Sequence, residues 1–218
     1  MSFDNHSVGV LQGTAVANAL KSKKGAVVAE LNGGQEDANA FLFKGGYDSV
    51  LKPLYKSGAL KAGPDQFVPA WDNQKAGTIF EQMLVKTGNK IDGVAAANDG
   101  IANAVVVALK AHKLKPIPLS GQDASTQGVQ NIISGWQTMT VFKDVRIQAA
   151  AAAKAAVAIV KGTAVPTTGK IKTKGRSMEL AYLVTPQVVT KANYKLLFTS
   201  GFLKKSDVCN GTYSQYCK

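Results

Sequence analysis

Three apolar runs in this chain each end in polar side chains, and this arrangement limits the possible folds more than any other feature. Gly93-Val-Ala-Ala-Ala-Asn-Asp-Gly100 delivers Asn98 and Asp99, Leu119-Ser-Gly-Gln-Asp123 delivers Gln122 and Asp123, and Thr138-Met-Thr-Val-Phe-Lys143 delivers Lys143. Helical patterns from Gly100 to His112 and from Thr126 to Ser134 separate them. Short apolar runs alternating with helical patterns predict parallel βαβ units with right-handed crossovers, and so an α/β fold of the three-layer αβα sandwich type around a parallel sheet. In such a sheet ligands bind beyond the carboxyl ends of the strands, so Asn98, Asp99, Gln122, Asp123 and Lys143 are expected along one edge. That set suits a polyhydroxylated ligand better than a reaction.

The rest of the chain extends the pattern. Ser2-Phe3 reads as a strand end, Asp4 and Asn5 as a turn, and Val8, Leu11, Ala15 and Ala19 as one face of a helix. Gly25 to Leu31 reads as a buried strand broken by Gly33-Gly34. Asp37 is placed to cap a helix carrying Phe41, Phe43, Tyr47, Val50 and Leu51. Phe67-Val-Pro-Ala-Trp71 reads as a short strand with Trp71 at its exit, and Asn73 to Thr87 as an amphipathic helix with Ala76, Phe80, Met83 and Leu84 inward. Ile117-Pro-Leu-Ser reads as a strand entering the Gly-Gln-Asp corner. From Arg146 to Val160 only Arg146, Gln148 and Lys154 are strongly polar, so this Ala-rich helix expects cover on most sides. Gly162 to Gly175 reads as a basic loop, and Leu180 to Val184 as a strand ending at Thr185-Pro186.

With 218 residues and 45% apolar composition the chain buries a substantial core, as one large domain or one domain with an appendage. No apolar run approaches the roughly 20 residues that cross a bilayer, and the first residues lack the basic-then-apolar order of an export leader. The net charge of +12 raises the question of nucleic acid. The lysines are dispersed, however, apart from Lys21-Ser-Lys-Lys24 and Lys170-Ile-Lys-Thr-Lys-Gly-Arg176, and only two arginines occur. Specific nucleic-acid readers use arginine forks and stacked aromatics, so the charge reads as a solvated surface and no nucleic-acid partner is expected. Cys209 and Cys217 flank a short segment containing Gly211. They are compatible with a disulfide loop in an oxidising compartment, the alternative being two free surface thiols. His6 and His112 stand far apart, and neither paired-His nor Cys-x-x-Cys spacing occurs, so no metal or cofactor is expected. Catalysis is disfavoured too: there is no Gly-x-Ser-x-Gly elbow, phosphate loop or Gly-x-Gly-x-x-Gly, and Asp123 with Lys143 would lack a nucleophile oriented by histidine.

Each candidate side chain has a chemical reason and a plainer alternative. Asp123 can accept from two neighbouring hydroxyls, or cap the helix near Ser125, although Ser125 and Thr126 are themselves capping types. Asn98 offers both a donor and an acceptor. Asp99 is expected to be the N-cap of the following helix. Asn39 stands near a helix start and can be a polar residue without function. Trp71 can stack on the apolar face of a pyranose or simply pack in the core, and Trp136 reads as core or helix-end packing. Lys143, leaving a buried strand, can donate to ligand oxygens or lie on the surface.

At these residues the chain resembles the periplasmic sugar-binding proteins of ABC transporters, type I, most closely the D-xylose-binding branch. The resemblance rests on Ser2-Phe-Asp-Asn5 with Val8-Gly9, Asp37-Ala-Asn-Ala-Phe-Leu-Phe43, Asp65-Gln-Phe-Val-Pro-Ala-Trp71, Lys90-Ile-Asp-Gly-Val-Ala-Ala-Ala-Asn-Asp99, Ser120-Gly-Gln-Asp-Ala124 and Gln137-Thr-Met-Thr-Val-Phe-Lys143. It implies sugar contacts from Asn39, Trp71, Asn98, Asp123 and Lys143, a monosaccharide ligand such as xylose or a glucose-like aldose, an ABC transporter permease as partner, and a periplasmic or extracellular location, with a lipoprotein anchor in a full-length form. Members of this family have two αβα lobes joined by three crossovers. On that pattern residues 1–4 end the N-terminal lobe, 5–142 form the C-terminal lobe, 143–176 carry a crossover and the Ala-rich helix and loop of the N-terminal lobe, and 177–218 return as a strand and tail. Most of the N-terminal lobe is then missing. Weak or undetectable sugar binding is expected, with the Ala-rich helix docking elsewhere, pairing two copies as a homodimer, or mobile. The competing expectation is a self-associating fragment that transports nothing.

Overall fold

The computed structural model describes residues 1–171 and 178–217. Its elements, in chain order, are β1 (Ser2–Phe3), α1 (Asn5–Leu20), β2 (Ala26–Asn32), α2 (Ala38–Lys56), β3 (Leu60–Phe67), α3 (Asn73–Thr87), β4 (Gly93–Ala96), α4 (Asp99–Ala111), α5 (Thr126–Ile133), β5 (Thr140–Phe142), α6 (Val145–Val160), β6 (Gly169–Ile171), β7 (Glu179–Ala181), β8 (Leu183–Val184), β9 (Gln187–Val189), α7 (Leu196–Thr199) and α8 (Lys205–Val208).

The centre is a parallel sheet ordered β3-β2-β4. The 117–123 segment continues it. Val94 N–H donates to Pro118 O at 2.8 Å and Ser120 N–H to Val94 O at 3.1 Å, and on its other side Val141 N–H donates to Gly121 O and Asp123 N–H to Val141 O. β5 therefore follows, with β9 antiparallel beyond it. Alternation along the strands divides the core. Ala29, Leu31, Val94 and Ala96 pack with α3 and α4, whereas Ala26, Val28, Ala95 and Val141 pack with α1 and α2. The result is the expected three-layer αβα sandwich.

The helices begin where local chemistry satisfies their first N–H groups. Asp4, Asp37, Asp72, Asn98, Ser125 and Asp144 cap α1 to α6 in turn, each accepting a backbone N–H. Asp4-Asn5, expected as a turn, is therefore the start of α1. α1 crosses α2 closely enough that a Cβ on Gly9 would lie 2.0 Å from Phe43 O, and one on Gly46 would lie 2.2 Å from His6 O. On the other face of α2, Lys44 Nζ reaches Glu30 Oε2 at 2.6 Å and Asp65 Oδ2 at 2.7 Å, tying the helix to β2 and β3.

Several expectations need correction. β3 starts at Leu60, seven residues before the strand read from Phe67. Its interior Gly63-Pro64 resembles a turn, but Pro is tolerated on an edge strand, and the β2–β3 register shifts between Val28 and Glu30 opposite it. Phe67 ends that strand, and Pro69–Trp71 is a 3-10 turn. Ile117 to Ser120 contributes a single bridge, Val94 to Leu119, in place of a full strand. The loop read from Gly162 to Gly175 contains β6, which pairs antiparallel with β7; the part of that loop and of the basic Lys170–Arg176 cluster from 172 onward lies outside the described residues. Leu180 to Val184 divides into β7 and β8, and β8 pairs parallel with β1.

α6 forms as read from Arg146 to Val160, but only Ala151 and Ala158 are buried; Val157 is 52% and Val160 87% exposed. The tail folds back on α5, where Gln130 Nε2 donates to Val208 O at 3.1 Å. A Cys209–Cys217 disulfide closes its end, and both sulfur-bearing residues pack with Tyr194, Leu197 and Val208.

Candidate functional site

Beyond the carboxyl ends of the strands lies an open cleft of about 300 Å³, lined by Asn5, Asp37, Asn39, Phe43, Trp71, Asn98, Gln122, Asp123 and Lys143. All five side chains singled out for a ligand, Asn39, Trp71, Asn98, Asp123 and Lys143, come together here, with Gln122. Two larger hollows, of about 390 and 460 Å³, flank α6. The larger is lined mainly by aliphatic carbon from Ile147, Ala150, Ala151 and Pro166 and lacks the convergent amides and carboxylates of the cleft.

The protein side of the site fixes what each polar group can offer. Asn39 follows the α2 cap, where Asp37 Oδ1 accepts its backbone N–H at 2.8 Å, and its own Oδ1 accepts from Asn5 Nδ2 at 2.8 Å. Asn98 Oδ1 accepts from Ile101 N–H at 2.9 Å as the α4 cap. With both oxygens engaged, these side chains have N–H groups left to donate. Gln122 is the reverse: its Nε2 donates to Ala97 O at 2.7 Å, and its buried Oε1 has no partner among the described residues. Asp123 Oδ1 lies 3.1 Å from Lys143 Nζ, and its carboxylate is about half exposed, so accepting capacity remains.

An apolar wall completes the cleft. The Trp71 ring meets Phe43 edge-on at 6.3 Å between centroids, and Lys143 Nζ stands 5.5 Å from the centre of the Phe43 ring. Trp71 reaches this place through an unusual backbone, with φ of 55° at Ala70 and 56° at Trp71. Its ring lies over Gly33, where a Cβ would come within 2.1 Å of the indole. Gly33 thus does more than break β2: its missing side chain makes room for the aromatic platform.

Asp99 takes a different place from the one expected. Asn98 caps α4, and Asp99 lies behind the cleft, 2% exposed. Its Oδ2 accepts from Ser125 N–H and its Oδ1 from Gln137 Nε2, both at 2.8 Å, and its own N–H donates to Gln122 O at 3.0 Å. Burial pushes its carboxyl up to about 7 against the lowering pull of these bonds, and the neighbouring Asp123 charge adds to the rise. Ser125, not Asp123, caps α5, with Oγ accepting from Gly128 N–H at 3.0 Å. Trp136 packs at the edge of the core under Lys110.

Asn5, Asp37 and Phe43 line the cleft without having been singled out for it. Asp37 and Phe43 have helical explanations, a cap and an apolar stripe, that mask a second use. Asn5 arrives from 34 residues upstream of Asn39, and no local pattern announces that contact.

Comparison with known proteins agrees with this architecture. The family model described as periplasmic binding protein domain matches residues 1–164. The D-xylose-binding periplasmic protein of Escherichia coli (strain K12) is 37% identical over 210 residues, which cover 95% of this chain and 62% of that protein. The multiple sugar-binding periplasmic receptor ChvE of Rhizobium radiobacter is 35% identical over 225 residues, covering 94% of this chain and 63% of the receptor. The chain therefore spans less than two thirds of the length of these relatives. Among solved structures, an ABC transporter solute-binding protein from Clostridium phytofermentans with bound β-D-glucose superposes with a TM-score of 0.88 at 30% identity, over 95% of this chain and 69% of that one. A carbohydrate transporter solute-binding protein from Chloroflexus aurantiacus in complex with D-glucose gives 0.85 at 29% identity, over 94% and 68%. A chain whose sheet, cleft and first three quarters all follow this pattern belongs to the periplasmic binding protein family.

Proposed function

We propose that this chain is the sugar-binding wall of a solute receptor serving an ABC transporter, with an aldose such as xylose or glucose as ligand. The observation that carries the reading is the grouping of Asn39, Trp71, Asn98, Asp123 and Lys143 around one cleft with complementary hydrogen-bonding polarity. Three donors, the amides of Asn39 and Asn98 and the ammonium of Lys143, face acceptors from Asp123, and Trp71 offers a flat apolar surface. A pyranose needs that combination: its hydroxyls both donate and accept, and one ring face is C–H. Charge-assisted hydrogen bonds contribute about 1.5–3 kcal/mol each and neutral ones about 0.5–1.5 kcal/mol.

On this reading residues 5–142 form one lobe of a two-lobed receptor, the 1–4 and 143–176 segments belong with the crossovers and the other lobe, and 177–218 return to the first lobe. The permease is the partner, and the working location is the periplasm or cell exterior. A ligand held from one wall is held weakly, so the chain alone binds xylose in the millimolar range, because several hydrogen bonds are left unmade. Titrating xylose and glucose against the chain by two-dimensional NMR tests this: shifts confined to the cleft support it, and no shift up to a 100-fold excess of sugar over protein overturns it. Calorimetry returning micromolar or tighter binding would overturn the one-wall version alone.

The exposed apolar side of α6, with Val157, Ile159 and Val160, favours a second reading, in which the chain self-associates without transporting. Light scattering distinguishes the two. A monomer at 100 μM removes this second reading, whereas a dimer abolished by Val157→Lys with Val160→Lys supports it.

A further inference from the structure

We propose that Asp99 is the positioning residue of the cleft, its carboxylate holding the 121–125 turn in the shape that aims Asp123 at a ligand. The proposal rests on the carbohydrate reading only for what Asp123 is aimed at; the positioning itself is a matter of backbone geometry. Asp123 has φ of 94° and Ala124 of 49°, two consecutive non-glycine residues in the left-handed region. Such a turn persists only where its surroundings over-determine it. Asp123 N–H is held by Val141 O at 2.9 Å and Ala124 N–H by Thr140 Oγ1 at 3.1 Å, both from β5. Asp99 grips both ends of the turn: its N–H holds Gln122 O, its Oδ2 holds Ser125 N–H, and its carboxyl also bonds the Thr140 side chain.

Three further observations point the same way. Asp99 does not line the cleft, so it has no ligand of its own to touch. A Cβ on Gly121 would lie 2.2 Å from Asp99 Oδ1 and one on Gly128 2.2 Å from Oδ2, so two glycines leave space for this one carboxylate. Both carboxylate oxygens accept, which an amide could not reproduce, and Gln137 is turned so that its Nε2 serves Asp99 and Met139 O while its Oε1 is left buried without a partner among the described residues. Asp123 is a charged neighbour of Asp99, and with 2% of its surface exposed the carboxyl has a dry setting. A buried carboxyl that accepts from the Ser125 N–H of the turn in such a setting is tied to the shape of that turn.

The experiment compares the full chain with Asp99→Asn and Asp99→Ala, following amide exchange at residues 121–126 and xylose titration, both by NMR. Asp99→Ala is expected to speed exchange of the Ser125 amide about tenfold or more and to weaken xylose binding about tenfold, while exchange in α3 stays as in the wild type. Asp99→Asn retains one oxygen and is expected to recover the Ser125 protection while shifting the Gln137 side-chain amide resonances. If Asp99→Ala does not fold, Asp99→Asn carries the test through those resonances and a partial loss of affinity. Unchanged Ser125 exchange in Asp99→Ala, or unchanged Gln137 resonances with wild-type affinity in Asp99→Asn, overturns the proposal. A wild type that ignores xylose while Asp99→Ala frees the Ser125 amide upholds the positioning role and sinks the carbohydrate reading; equal xylose binding by the wild type and Asp99→Ala does the reverse.

Discussion

Gly33 and Trp71 illustrate how single residues divide the work of this cleft. The indole occupies the space a Cβ would take on Gly33, so Gly33→Ala should displace the ring and weaken xylose binding nearly as much as Trp71→Ala does, with little change in helical circular dichroism. NMR titration of both variants checks this; wild-type affinity in Gly33→Ala would separate the ring from binding. Asp123→Asn removes the charge from the Asp123–Lys143 pair and should weaken binding about tenfold to a hundredfold, the equivalent of losing one charge-assisted bond. Asp99 gives a pH signature. Its folded-state pKa of about 7 is above its ordinary value, so between about pH 4 and 7 the folded chain binds a proton that the unfolded chain has released. Its contribution to stability is therefore greatest at the acid end of that window and declines, by on the order of 1–4 kcal/mol, as pH rises to 7. Urea denaturation at pH 5 and pH 8 should show the decline in the wild type and much less of it in Asp99→Asn. Residue types at strand ends were enough to forecast that Asn98, Gln122, Asp123 and Lys143 converge. The exchange of roles between Asn98 and Asp99 was not legible, because either can cap a helix and only the spatial neighbour Gln137, 38 positions away, decides which one does.

Among the elements, the α1–α2 crossing depends most on missing side chains. Gly9 and Gly46 let two backbones touch, so alanine at either should destabilise the chain by about 1–3 kcal/mol through overpacking. Gly77 in α3 has nothing within 4 Å, and Gly77→Ala should stabilise by about 0.5–1 kcal/mol. Thermal denaturation of the three variants gives opposite signs if close approach, and not helix propensity, governs Gly9 and Gly46. The helices themselves were readable because apolar periodicity and caps agree: α3, α4, α5 and α6 each lie within a residue or two of the pattern. β3 was not, since Gly63-Pro64 imitates a turn and its tolerance depends on the strand lying at the sheet edge, a fact of topology. The 117–120 segment failed for a related reason: Pro116 and Pro118 lack N–H groups, so little of a ladder forms even though the segment occupies a strand's place.

At the scale of the molecule the disulfide joins the end of the tail to itself, and the tail in turn packs on α5, whose N-terminus abuts Asp99. Reducing the Cys209–Cys217 link, or replacing both with Ser, should lower stability by about 2.5 kcal/mol, the entropy of a short closed loop, and free Gln130 from Val208 O. Urea denaturation with and without reductant measures it; identical midpoints would show that packing alone holds the tail. The layered architecture was legible because alternating runs impose it, while the pairing of β1 with β8, two segments 181 positions apart in register, was not. The bare flank of α6 has a further consequence in solution. A chain of net charge +12 repels its own copies at long range, and added electrolyte shortens that repulsion to about 8 Å near 0.15 M without weakening contact between hydrocarbon surfaces. Colloidal behaviour should therefore run opposite to that of an ion-paired assembly: dispersed in dilute buffer, and increasingly clustered as sodium chloride is raised.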